Sequence, residues 1–378
     1  MEDRTAEFRL GSGSVVRLGD LAQLVRAPAA LSVPGDILAG AAAAGNPLDR
    51  RVFGAIGSSV CLYWAGMALN DYADATVDAV ERPGRPVPSG RIPRRTAFAV
   101  AKGLTAAGLG LAALTGGRRG LVGALPLTGL IWAYDLGLKS STAGAATMAA
   151  ARTADVLAGA LAGGTGSTGS ALRRGAVPAA LVGAHTYTLM ALSRHEISGA
   201  PARVPATTLA ASTATVVATA LPAVRALCRT AGVEAVRGVR EPSSAATPPL
   251  RGVAASAVGR RSHGPAASGL VGRLRAKAVP TVTGMSQPAA FPTPPAKFGA
   301  AVAAAGALAY LGSYGAAQVR AVREPSGANL QRAVGAGVLG LVPLQAALAA
   351  RAGAPVVGAV LGVVHPLARR LARRISPT

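Results

Sequence analysis

The chain is poor in aromatic residues, in charge and in cysteine. Phe, Trp and Tyr make up 3% of its 378 residues, and charged residues make up 15%, against about a quarter in soluble domains. A water-soluble core with so few large side chains would bury little area per residue, which argues against two or three soluble domains of this total length. The two cysteines, Cys61 and Cys228, match no metal or redox spacing, and Cys61 reads as a small packing residue in an apolar run. Residues 1–13 contain no apolar h-region, so no cleavable signal peptide is expected and the first span does the targeting. Basic residues are the exception to this poverty: 39 Lys and Arg face 16 Asp and Glu, for a net charge of +23. No aromatic-plus-basic motif accompanies them, so a nucleic-acid partner is not expected. They fall mainly in loops and tails, where anionic headgroups and the positive-inside rule favour them.

What remains is long uncharged runs: Ile37–Leu48, Val52–Asn70, Gly103–Gly117, Leu121–Tyr134, Val156–Leu172, Gly175–Ser193, Val204–Val224, Phe298–Val319 and Ala333–Ala350. Several reach the ~18–20 residues that cross a bilayer as helix, and the shorter ones reach it by taking in one polar residue. The reading is an all-α integral membrane protein of about nine transmembrane helices. Its Ala and Gly content lets such helices approach closely and gain packing energy in lipid.

The expected organisation has four parts. Residues 1–26 are a tail ending in an interfacial amphipathic helix, Val15–Arg26, with Val15, Leu18, Leu21 and Val25 at helical spacing. Residues 27–228 hold spans one to seven. Residues 229–296, rich in Pro, Ser, Gly and Arg without apolar periodicity, read as a disordered insertion. Residues 297–378 hold spans eight and nine and a basic tail, with Val356–Val364 too short to span securely. Arg82, Arg85, Arg91, Arg94 and Arg95 place the loop after span two in the cytoplasm, at the cell membrane. A faint repeat relates Asp36-Ile-Leu-Ala-Gly-Ala to Asp155-Val-Leu-Ala-Gly-Ala at an offset of 119 residues. Added to Asp71–Asp78, that offset lands on Met190–Ile197, which holds the polar cluster Ser193-Arg194-His195-Glu196.

The densest chemistry closes span two. Asn70-Asp71-x-x-Asp74-x-x-x-Asp78 puts three carboxylates within a ~60° arc of one helix face. Carboxylates so placed repel one another unless a cation neutralises them. Magnesium takes oxygen ligands, commonly one or two carboxylates plus substrate phosphates, so the pattern suits Mg²⁺ bridging a diphosphate. The alternative is a solvated helix end whose acids pair with neighbouring arginines. Glu81-Arg82-Pro83-Gly84-Arg85-Pro86 follows, and its Pro-fixed turns hold Arg82 and Arg85 near the acids, where guanidinium groups can grip phosphate. Arg94 and Arg95 read as positive-inside charge.

These residues carry a resemblance. N-D-x-x-D-x-x-x-D followed by R-P-x-x-x-G in an Ala- and Leu-rich chain of about nine spans resembles the UbiA superfamily of intramembrane prenyltransferases. The resemblance implies a bundle of nine helices around a central cavity. It also implies a prenyl diphosphate held through Mg²⁺ by two Asp-rich motifs, and transfer of the prenyl group to an acceptor within the membrane. Asp71, Asp74 and Asp78 would hold the metal, with Asn70, Arg82 and Arg85 on the diphosphate. Tyr134 and Lys139, in Y-D-L-G-L-K, resemble the family's segment between spans four and five, whose Lys contacts diphosphate.

One motif departs. Where the family places its second D-x-x-x-D, this chain has Ser193-Arg194-His195-Glu196-Ile197-Ser198-Gly199, which resembles the EboC-like branch. Glu196 would ligate a second metal there, or Arg194 would replace its charge; the alternative is a capped helix end. His195 reads as a polar neighbour. Asp36, Arg152 and Asp155 interrupt or flank apolar runs, where charge is costly. Arg152 and Asp155 read as an ion pair at helical spacing, and Asp36 as facing a polar cavity. Trp64, Trp132 and Met148 read as lipid-facing or packing residues. Two rival functions stand beside prenyl transfer. A CDP-alcohol phosphotransferase would need an Asp-Gly-x-x-Ala-Arg start, which is absent. A non-catalytic lipid-binding or transport protein is the other, kept open by the altered second motif. Neither the acceptor nor the prenyl chain length can be read from the sequence.

Overall fold

The structure, a computed structural model, describes residues 7–9, 15–26, 32–163, 166–240 and 296–375. Among these, a short antiparallel ribbon of β1 (Glu7–Arg9) and β2 (Val15–Arg17) is the one departure from an all-helical chain. The helices are α1 (Leu18–Leu24), α2 (Val33–Ala44), α3 (Arg50–Ala73), α4 (Ala75–Glu81), α5 (Arg94–Leu136) and α6 (Gly144–Leu161). They continue with α7 (Thr168–Ser193), α8 (Arg203–Arg240), α9 (Ala296–Tyr310), α10 (Ala316–Arg323), α11 (Gly327–Arg351) and α12 (Pro355–Ile375). A π-helical turn, Leu311–Gly315, joins α9 to α10. Residues 231–293 separate as a second compact unit, of which only the helical residues 231–240 are described.

Among the described residues, six helical stretches are long and apolar enough to cross a membrane, and Val33–Ala44 and Pro355–Pro366 are apolar but shorter. Three local expectations change, and the separation of the runs Gly103–Gly117 and Leu121–Tyr134 holds. The interfacial helix begins at Leu18, because the β-branched pair Val15-Val16 enters β2 instead. The helix at the fifth uncharged run is α6, Gly144–Leu161, and the run itself, Val156–Leu172, straddles the turn into α7. Arg152 and Asp155 hid that helix by breaking its apolar run. Residues 229–240, expected to open a disordered insertion, are helical, since α8 continues to Arg240; residues 241–295 of that expectation lie outside the described residues. The 43-residue α5 is two arms that fold back at Gly117, whose φ of 58° suits glycine. A side-chain carbon at Gly120 would lie 2.2 Å from the Ala112 carbonyl oxygen, so the arms return close together. Both pack against α3, where Ser58 Oγ donates to the Gly108 carbonyl at 2.8 Å and Leu62 meets Ala112, Leu127 and Ile131.

The repeat has a physical counterpart. A side-chain carbon on Gly40 would lie 1.8 Å from the carbonyl oxygen of Val156, and one on Gly159 would lie 2.1 Å from that of Ile37. Residues 40 and 159, and 37 and 156, are each related by 119, so α2 and α6 use the same surface on one another. Small residues here are a condition of contact between backbones. Gly40→Ala is therefore expected to destabilise the bundle by about 1–3 kcal/mol through overpacking. Thermal unfolding in detergent would measure it, and an unchanged midpoint would mean that the helices do not meet there.

Candidate functional site

The acid segment lies where α3 gives way to α4. Asp74 breaks the helix (φ −87°, ψ 4°), closing α3 and opening α4. Asn70 and Asp71 thus occupy the last turn of α3, Asp74 the joint, and Asp78 the first turn of α4. Asp71 and Asp78 are nearly sealed from solvent, at 2% and 1% exposure. One guanidinium answers both: Arg85 lies 2.5 Å from Asp78 and 3.6 Å from Asp71. Arg82 adds a contact to Asp78 at 3.3 Å, and Lys139 pairs with Asp74. The loop holding Arg82 and Arg85 is pinned because Val87 and Ile92 are buried with Leu24, Leu69, Ala97 and Ala101.

Two residues that sequence reasoning passed over complete this mouth. Arg26, read as the end of an interfacial helix, reaches Asp71 at 3.0 Å and the Asn70 side-chain oxygen at 3.4 Å. Its backbone is left-handed, φ 45°, a conformation that costs a non-glycine residue roughly 1–2 kcal/mol. Arg91 ties the preceding helix to the same loop through Asp20 at 2.5 Å and Gln23 at 2.8 Å. Asp135 accepts from the Asn70 amide at 3.3 Å; its signal in the sequence was a lone acid beside Tyr134 at the end of an apolar run.

Below the mouth opens a cavity of about 340 Å³, walled by α2, α3, α5, α6, α7 and α11. Arg26, Asn70, Tyr134 and Asp135 stand at one part of its lining, and Met67, Ile131, Met148, Leu189 and Leu341 supply apolar wall. Trp64 and Met148 line this space, a more specific place than the lipid or packing roles expected of them, whereas Trp132 packs against Phe98. The 119-residue offset recurs here. Ser32 and Ala151, Val33 and Arg152, Gly66 and His185, Met67 and Thr186, and Asn70 and Leu189 all line the cavity as related pairs.

Arg152 lines the cavity, and behind it lies a buried polar layer. Its guanidinium meets Asp36 at 2.9 Å, not Asp155 as helical spacing suggested. Asp155 instead accepts from Ser59 Oγ at 2.6 Å, and Gln345 Nε2 donates to Asp36 at 2.6 Å. Asp36 and Asp155 are fully buried and are not part of the cavity lining.

The segment after α7 is placed differently from the acid cluster. Arg194 donates to the Ser141 carbonyl, and Gly199 (φ 74°) lets the chain turn onto Pro325 at the entry to α11. Partial burial raises the Glu196 carboxyl above its ordinary range. Among the described residues no three His, Cys, Asp or Glu side chains gather as a metal cage, and this holds for Asp71, Asp74 and Asp78, which the break at Asp74 takes off one common helix face, as it does for Glu196. Magnesium still fits the mouth. Asp71 and Asp78 already share one positive charge, and a two-carboxylate ion completed by phosphate and water matches its ligand habits.

Comparison with known proteins gives this arrangement a context. The UbiA prenyltransferase family matches residues 33–235, more than half of the chain. A digeranylgeranylglyceryl phosphate synthase from Methanopyrus kandleri is 45% identical over 80 residues, 21% of this chain and 28% of that protein. A chloroplastic chlorophyll synthase from Oryza sativa is 37% identical over 84 residues, 21% of this chain and 22% of that protein. The chain thus spans under a third of the length of these curated relatives. A solved structure of a UbiA homolog from Aeropyrum pernix superposes with a TM-score of 0.52 at 16% identity, covering 89% of this chain and 97% of that one. At that identity the likeness speaks for the fold.

Proposed function

The chain belongs to the UbiA prenyltransferase family and is a multi-pass integral membrane protein, and from that premise we propose that it transfers a prenyl group from a prenyl diphosphate to an acceptor within the bilayer. The observation that carries the reading is the sealed mouth. Two buried carboxylates, Asp71 and Asp78, pair with Arg26, Arg82 and Arg85, Lys139 pairs with Asp74 at the joint between them, and Arg26 and Asn70 carry this cluster into the lining of a largely apolar cavity.

In this reading Asp71 and Asp78, with Asp74 at the joint, would hold Mg²⁺, which would supply charge neutralisation for the leaving diphosphate. Arg82, Arg85 and Lys139 turn from their carboxylates to the phosphate oxygens, where charge grows as the allylic C–O bond breaks. Arg26 does the same from the end of α1, and Asn70 and Tyr134 fix the oxygens' orientation. Arg194 steadies the turn that carries Lys139 through Ser141. Met67, Ile131, Leu189 and Leu341 enclose the hydrocarbon and keep water from the electron-poor carbon. We place the mouth at the cytoplasmic face of the cell membrane, because its short loop carries Arg82, Arg85, Arg91, Arg94 and Arg95.

The test is direct. The purified full chain in nanodiscs, given radiolabelled geranylgeranyl diphosphate, magnesium and a lipid extract of the source cells, is expected to yield one labelled lipid product. Chelating the metal is expected to remove it. No labelled product with magnesium present, and the diphosphate intact at the end, would sink the proposal.

A further inference from the structure

Asp135 is an acid to which the reading above gives no role. It lines the cavity at 6% exposure. Asp71, Asp74 and Asp78 each stand in an ion pair, whereas Asp135 forms none among the described residues. Its bonded partner is the Asn70 amide, through Oδ1. The second oxygen, Oδ2, faces the bare side of Gly66: a side-chain carbon there would lie 3.3 Å from it, and 2.7 Å from Ile131. Gly66 and Asn70 are one turn apart on α3, roughly 6 Å along its axis. The Asp135 carboxylate therefore lies against α3 between Gly66 and Asn70, both of which line the cavity: Oδ1 touches the residue that borders the phosphate-binding groups, and Oδ2 is turned toward Gly66.

We propose that Asp135 is the general base for the acceptor, and that the acceptor is a lipid bearing a hydroxyl group. This rests on the prenyl-transfer reading above. The acceptor oxygen forms a bond to the first prenyl carbon. The bond from that carbon to the diphosphate oxygen breaks, and its electron pair leaves with the diphosphate. The hydroxyl proton passes to Asp135 Oδ2, while the Asn70 amide holds Oδ1 and so the orientation of the carboxylate. No oxidant or further reactant is required. In this reading the groups that already answer Asp71, Asp74 and Asp78 are committed to the diphosphate end, and Asp135 is the cavity-lining acid that stands outside those pairs among the described residues.

The experiment uses the full chain in nanodiscs with farnesyl thiolodiphosphate as a slowly reacting binding probe, and labelled farnesyl diphosphate with a source-cell lipid extract for transfer. Asp135→Asn is expected to bind the probe within about threefold of the wild type and to transfer about a hundredfold more slowly or worse. Asp135→Ala supplied with formate is expected to regain about tenfold of its lost rate, because a small carboxylate can occupy the vacated place. A structural or phosphate-binding role would show neither the rescue nor the intact binding. Transfer near the wild-type rate in Asp135→Asn, or probe binding weakened by about tenfold or more, overturns the assignment of a base. A wild-type chain that neither binds the probe nor releases diphosphate overturns the prenyl-transfer reading itself, and this inference with it.

Discussion

Asp78→Asn is expected to slow prenyl transfer by several hundredfold or more, the scale on which removing one preorganised charge from a reacting site is felt. The substitution keeps the shape of the side chain and removes its charge. Asp78 is 1% exposed and is the carboxylate that both Arg82 and Arg85 hold. On the reading proposed above, its loss would unseat two phosphate-binding groups together with a metal ligand. Asp71→Asn should fall in the same range, and the double variant should cost little more than either alone, because residues acting as one unit are not additive. Asp74→Asn should cost less, since Asp74 is more open and pairs only with Lys139. Rates of labelled transfer in nanodiscs check the series. Full activity in Asp78→Asn would mean that the buried pair is structural.

Arg152→Met is expected to produce the largest loss of stability of any single change at the cavity, about 3–5 kcal/mol. The guanidinium is 6% exposed and faces two fully buried carboxylates, Asp36 at 2.9 Å and Asp155 beyond it. Methionine fills much of the same volume, so the cost comes from charge left without a partner in an apolar bundle. The companion variant decides the cause. Adding Asp36→Asn should recover part of the loss, because it removes one of the stranded charges while Gln345 remains to meet the amide. Thermal unfolding of wild type, both single variants and the double variant closes the cycle. Equal and additive losses would show that packing, not the ion pair, is at stake.

How far the sequence reached depends on what each residue's neighbours are. Asn70, Asp71, Asp74 and Asp78 were legible because their spacing is local and their residue types are rare in apolar chain. The helix break at Asp74 was not, since nothing in the side-chain pattern marks one residue with φ −87° and ψ 4°. Arg82 and Arg85 were placed by their Pro-flanked turns. Arg26 was missed because its reach to Asp71 depends on a left-handed backbone at the end of α1, and Asp135 because a single acid beside an aromatic carries no spacing. The apolar runs located most helices, and the fifth was displaced because its two charged residues answer partners on other helices: Arg152 with Asp36, and Asp155 with Ser59. Helical spacing proposes partners on one helix; tertiary packing chose others.

The 119-residue correspondence across the cavity bears on stereochemistry. A pocket with two matching halves would accept an elongated lipid in either of two poses, half a turn apart. In this one the half that ends in Asn70 and Asp71 is matched by Leu189 and Met190. The charged head then has one end at which to dock and the tail one direction in which to run. Every turnover would present the same face of the first carbon to the incoming nucleophile, so a prenyl diphosphate carrying one deuterium of defined configuration at that carbon should give a single configuration in the product.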